Sequence, residues 1–194
     1  TGGMGAYAPV PDVDAAQLGE IRRTIVEPTL QGLAAEGIAY RGFLYFGLML
    51  TAAGPKLLEY NARLGDPEAE VLLPALDGPL LPTLLASFDG ALERHPFAIK
   101  PGAVVDVVLA AGGYPGEVRA GVPIAGADAT DALVFHAGTE IRNGALTVAG
   151  GRVLNVVAHG ADLAAARQKA YAACAKIRFD GMQCRTDIGG RAPA

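Results

Sequence analysis

Apolar and polar positions recur at different periods along the chain, and the changes of period mark its elements. Leu18, Ile21, Ile25 and Leu33 fall at helical spacing and predict one buried helix side. Asp14 stands where an N-cap belongs and Gly37 where a C-cap belongs. Pro28 lies inside this pattern, which predicts a kink or a division of the helix. Residues 40–51 and 56–60 are apolar and aromatic on both faces. They read as two strands within a covered sheet, joined at Ala52-Ala53-Gly54-Pro55. Helices are expected over residues 68–76 and 80–92, on either side of Asp77-Gly78-Pro79.

Beyond residue 100 the pattern becomes strand-rich. Strands are predicted over 103–110, 133–137 and 153–160, with a hairpin at Asn143-Gly144 and turns at Gly112–Gly116 and Gly150-Gly151. Asp162 is placed to cap a last helix over 163–177. Leu163, Ala166, Ala170, Cys174 and Ile177 form its stripe. The fold class expected is α+β, divided near residue 100 into units 1–100 and 101–194.

Composition narrows the function. Half of the residues are apolar (51%) and 19% are charged, as in a globular protein. A net charge of −4 argues against an electrostatic grip on nucleic acid. No apolar run approaches a membrane span. Cys174 and Cys184 lack the paired spacing of a zinc or redox motif, which points to a reducing, cytoplasmic setting. The opening Thr-Gly-Gly-Met-Gly-Ala-Tyr reads as a glycine-rich turn that lacks one of its two flanking elements. It raises the expectation that the chain is part of a longer protein.

One constellation carries chemistry. Glu59, Asn61 and Arg63 occupy every second position at the end of a predicted strand, which turns all three side chains to one face. A carboxylate and an amide offer hard oxygen donors of the kind Mg²⁺ accepts, and an arginine beside them can reach a phosphate. The trio suits a metal–triphosphate site better than general acid–base work. It also fits a solvated edge strand with an ion pair, and the three residues alone leave both readings open.

The wider sequence resembles a known family. Glu59-x-Asn61-x-Arg63 at a strand end is similar to the metal-binding strand of ATP-grasp ligases. Its continuation, residues 63–74 (RLGDPEAEVLLP), resembles the signature of the phosphoribosylamine–glycine ligase (glycinamide ribonucleotide synthetase) family. TGGMGAYAP at Thr1, YRGFLYFGLML at Tyr40, GGYPG at Gly112, VFHAGT at Val134, GGRVLNVVAHG at Gly150 and FDGMQCRTDIG near the end resemble further stretches in the same order.

This resemblance implies the carboxy-terminal part of an ATP-grasp domain followed by a small β-rich domain with a terminal helix. It implies a ligase of de novo purine biosynthesis. ATP phosphorylates the glycine carboxylate, and the phosphoribosylamine nitrogen displaces phosphate from the glycyl phosphate. The products are glycinamide ribonucleotide, ADP and phosphate. Carried over by position, Glu59 and Asn61 would hold Mg²⁺ or Mn²⁺, and Arg63 would contact the transferring phosphoryl group. Gly65, Asp66, Pro67 and Glu68 would form a turn at the glycine and phosphoribosylamine pocket. Gly2, Gly3 and Gly5, whose backbone can approach an anion closely, would form another part of it.

The chain departs from the family pattern in two places. Gly47 stands where many ATP-grasp enzymes carry another acidic ligand. The amino-terminal half, with its phosphate-gripping lysine and most adenine contacts, has no counterpart here. The alternative is therefore a catalytically silent fragment or binding module. A biotin-dependent or formate-using carboxylate ligase is a third reading, disfavoured by Gly65-Asp66-Pro67-Glu68. Elsewhere His136 reads as a structural histidine and Cys174 as core packing, while Asp66 and Glu68 could also cap the helix that follows them.

Overall fold

The computed structural model describes residues 3–190. A short strand, β1 (Gly5–Ala8), leads to helix α1 (Ala15–Ile21). Asp14 begins α1 in a capping box: it accepts from the Gln17 amide at 2.8 Å, and its own amide donates to Gln17 Oε1 at 2.9 Å. The helix then widens into a π-turn over Arg22–Val26 and resumes as α2 (Glu27–Ala35). Pro28 causes the division. It has no N–H to offer the carbonyl four residues back, and the Glu27 N–H reaches Arg22 O across five residues instead.

Strands β2 (Tyr45–Thr51) and β3 (Gly54–Asn61) pair antiparallel through the turn at Ala52-Ala53. The expectation of a covered sheet fails here. The pair is a separate two-stranded ladder, with Leu58 63% exposed and Met49, Leu50 and Tyr60 open to solvent. The buried helix side fails in the same way: of Leu18, Ile21, Ile25 and Leu33 only Ile25 is buried, and Leu18 is 57% exposed. Both misses have one physical cause. The hairpin has one helical run against it, and among the described residues no further layer covers the pair.

Helix α3 (Ala69–Ala75) runs into a two-residue strand, β4 (Leu76–Asp77). Helix α4 (Leu80–Asp89) follows and ends at Gly90 in the left-handed conformation (φ 67°), three residues short of the expected end. Strand β5 (Ala98–Ile99) pairs with β4.

The main core lies around β6 (Ala103–Ala110), which is buried along its whole length. It is followed by β7 (Leu133–His136), the hairpin β8 (Thr139–Arg142) and β9 (Ala145–Val148), and the long strand β10 (Arg152–Gly160). Asn143 and Gly144 take positive φ (52° and 79°), as a two-residue turn of primed type requires. Helix α5 (Leu163–Cys174) is capped by Asp162, which accepts from the Ala165 amide at 2.7 Å. Ala166, Ala170, Ala173 and Cys174 bury its inner stripe, and Ile177 packs just beyond the helix end. Small residues bring α5 close to the sheet. A Cβ on Gly160 would lie 2.3 Å from the Ala166 nitrogen.

The main sheet has the order β1-β6-β10-β7. Its first strand therefore comes from the amino-terminal side of residue 100, with Gly5 opposite Val107 and Ala8 opposite Val104. Helix α3 also packs on it: Val71 and Ala75 meet Val104 and Val157. The sheet thus crosses the position expected to divide the chain. Among the described residues no helix is long and apolar enough to cross a membrane.

Candidate functional site

The site is built where β3 leaves its ladder. Pairing shifts register between Gly47 and Leu48, opposite Glu59 and Leu57, so Leu58 is an extra residue on β3. Beyond that bulge the alternation is regular, with Glu59 opposite Gly47 and Asn61 opposite Tyr45. Asn61 Nδ2 donates to Glu59 Oε1 at 3.1 Å. On the other face Phe46 and Tyr60 meet edge to face, and the Tyr60 hydroxyl lies 2.8 Å from Thr29 Oγ1 on α2. That contact fixes which way β3 is turned.

Gly47 has a steric reason. A Cβ there would fall 2.8 Å from Glu59 Cγ, so the glycine leaves Glu59 its place. Arg63 lies past the strand end, where its guanidinium donates to Leu64 O at 2.8 Å. Its charge is felt at Tyr45. Burial first, then Glu68 and Glu59, raise the phenol's pKa, and Arg63 lowers it. Tyr45 thus stands among Glu59, Arg63 and Glu68, and its hydroxyl donates to Glu68 Oε1 at 3.3 Å. Gly65 closes this group, because a Cβ on it would collide with Glu68 Oε2 and press on the Tyr45 ring.

The turn at Gly65-Asp66-Pro67-Glu68 contains a cis Asp66–Pro67 bond and leads into α3. Its acids do not cap the helix through their side chains. The Ala69 amide donates to the Gly65 carbonyl at 2.9 Å, Glu68 turns to Tyr45, and Asp66 pairs with Arg152 at 2.9 Å. Gly3 joins the same neighbourhood, because Arg152 also donates to its carbonyl at 3.3 Å. Gly5 lies inside β1, where a Cβ would sit 2.6 Å from the Asp106 carbonyl oxygen; close packing explains this glycine. Gly2 falls outside the described residues.

Three participants were not singled out in the sequence. Arg152 is one. Asp106 is another: it is fully buried, with neither carboxylate oxygen hydrogen-bonded, and burial together with Glu70, Asp66 and Glu68 pushes its pKa up to about 8 against Arg152. Glu70 is the third, its pKa raised chiefly by burial and one oxygen left without a partner. Asp106 interrupts an otherwise apolar strand, which is the signal that could have found it.

No group of three or more His, Cys, Asp or Glu among the described residues could hold a metal. One carboxylate and one adjacent amide still fit a hard divalent cation that takes its other ligands from phosphate and water. A cavity of roughly 670 Å³ beside α5, lined in part by Lys100, His159, Lys169 and Lys176, includes none of the expected site residues.

Comparison with known proteins gives the family. Residues 1–69 match the family model "Phosphoribosylglycinamide synthetase, ATP-grasp (A) domain", and residues 104–191 match the model for the C domain of the same enzyme. The chain belongs to the phosphoribosylglycinamide synthetase family. Phosphoribosylamine–glycine ligase from Chlorobaculum tepidum is 46% identical over 99% of this chain and 46% of its own length. The ligase of that name from Caulobacter vibrioides is 50% identical, with the same coverage. The crystal structure of the phosphoribosylamine–glycine ligase of Thermotoga maritima superposes with a TM-score of 0.86 at 40% identity, covering 96% of this chain and 46% of that one. Biotin carboxylase from Campylobacter jejuni superposes at 0.62 with 14% identity, over 93% of this chain and 40% of that one; this likeness bears on the fold alone. The family chain described here thus spans a little under half the length of these relatives.

Proposed function

We propose that this chain supplies the metal and acceptor side of an ATP-dependent phosphoribosylamine–glycine ligase. The observation that carries the reading is the side-by-side placement of Glu59 and Asn61, 3.1 Å apart, in a chain whose two family models follow one another along its length. In this reading Glu59 and Asn61 would hold Mg²⁺ or Mn²⁺. A cation bound there supplies charge neutralisation at the transferring phosphoryl group.

The remaining roles belong to the chain's own groups. Arg63, at the strand end, contacts the phosphoryl group as it passes to the glycine carboxylate. The turn from Gly65 through Asp66 and Pro67 to Glu68, with Gly3, lines the pocket for glycine and phosphoribosylamine. The acids of that turn suit the two amino groups these substrates carry. Phosphoribosylamine then attacks the glycyl phosphate, releasing phosphate and forming the amide. A cytoplasmic setting belongs to the same reading, supported by Cys174 and Cys184 standing as free thiols.

The partner implied is the amino-terminal half of such a ligase. The uncovered apolar positions on β2, β3 and α1 support it, because a second layer over them would complete a core. The same positions favour a second reading, a binding module without activity of its own. The test joins this chain to the amino-terminal half of the Chlorobaculum tepidum ligase and follows ADP release. Release that requires both glycine and phosphoribosylamine, absent from the 194-residue chain alone, is the expected result. An inert joined protein that is folded would favour the module.

A further inference from the structure

We propose that Arg152 is a positioning residue that locks the turn at Gly3 to the turn at Asp66 and so sets the shape of the acceptor pocket. The role in catalysis rests on the ligase reading; the lock itself does not.

The argument begins with strand register. Residues directly opposed in an antiparallel pair share a face of the sheet. On β10, Leu154 is opposite Leu109, and both lie in the core beneath α5. Arg152 is opposite Ala110, which belongs to the other face, with Met4 and Val108. Two residues of β10 are therefore matched to one step of β6, and Val153 is the extra one. Simple alternation would have aimed Arg152 at the face of Leu154, into the α5 core. The bulge turns it to the face where β1 and α3 pack.

On that face a single guanidinium nitrogen serves both turns. Arg152 Nη1 lies 2.9 Å from Asp66 Oδ1, 2.9 Å from the Asp66 carbonyl oxygen and 3.3 Å from the Gly3 carbonyl oxygen. Gly3 is shaped to receive it. Its φ is +72°, and a Cβ would come within 2.9 Å of the same nitrogen. The two turns are far apart in the sequence, and no backbone hydrogen bond is described between them. Arg152 also supplies positive charge among four acids, Asp66 and Glu68 of the turn, Glu70 of α3 and Asp106 of β6. Removing that charge takes away the attraction that draws the Asp66 turn to the Gly3 turn.

The test has two arms. In the 194-residue chain, hydrogen exchange is followed at the Ala69 amide, bonded to Gly65 O, and at the Val108 amide, bonded to Met4 O. Arg152→Met keeps the apolar stem and should speed exchange at both amides at least tenfold, while α5 amides stay unchanged. Arg152→Lys keeps the charge and should fall between the two; it also serves if Arg152→Met does not fold. In the joined ligase, Arg152→Met should raise KM for glycine or phosphoribosylamine at least tenfold, leave KM for ATP within twofold, and be partly rescued by Arg152→Lys. Unchanged exchange at Ala69 and Val108 overturns the lock. Faster exchange with every KM unchanged, in an active joined enzyme, overturns the catalytic positioning role. An inactive wild-type joined enzyme counts against the ligase reading alone, and the exchange arm still decides the lock.

Discussion

Asp106 on β6 and Glu70 on α3 bury carboxylate oxygens that no hydrogen bond satisfies, and the Glu70 charge adds to the burial that keeps Asp106 protonated. A carboxyl group held neutral in this way links stability to pH. Its folded pKa, about 8, lies above its ordinary value of 3.8. Between those values the folded chain holds a proton that the unfolded chain has released. Stability from this group therefore falls as pH rises from about 4 to 8, by at most about 1.4 kcal/mol per pH unit. Asp106→Asn mimics the neutral acid and should flatten that slope. Its advantage over the parent should therefore grow from pH 5 to pH 8. Urea unfolding of both proteins at pH 5 and pH 8 measures this; equal slopes would show that Asp106 is ionised in the folded state.

The crossing of β10 and α5 gives a second prediction. A methyl group on Gly160 would meet the backbone at Ala166, which has no rotamer to give way. Gly160→Ala should cost about 1–3 kcal/mol or more by forcing helix and sheet apart. A thermal midpoint within a degree of the parent would mean that the helix can shift freely.

Gly47 allows a more local test. Gly47 is buried, but Gly47→Ala places its methyl against the flexible, exposed Glu59 side chain, so Glu59 and not the backbone must give way. In the joined ligase the variant should unfold as the parent does, yet need at least tenfold more Mg²⁺ for half-maximal ADP release. Unaltered metal dependence would separate Glu59 from metal binding.

Much of the scaffold was legible because its signals are local. Asp14 and Asp162 announce helix starts, Asn143-Gly144 a hairpin, and Glu59 with Asn61 a shared strand face. The misses are non-local. Nothing near Gly5–Ala8 says that this stretch pairs with β6 about a hundred residues later. No local pattern marks Val153 as a bulge, and the face taken by Arg152 depends on it. Leu18 and Leu58 have core-like spacing, but whether they are covered depends on layers that periodicity within one segment does not report.

The central claim is that Glu59 serves a metal at the phosphates of ATP, and Glu59→Gln tests it most directly. The substitution keeps the side chain's length and one oxygen, so the contact with Asn61 and the fold should survive. It removes the charge that would hold the cation. In the joined ligase, with Mg²⁺ saturating, ADP release dependent on glycine and phosphoribosylamine should fall at least a hundredfold, equivalent to about 2.7 kcal/mol of barrier. The thermal midpoint should stay within about 2 °C of the parent. Turnover within threefold of the parent would contradict the account and leave Glu59 a structural residue of an exposed strand.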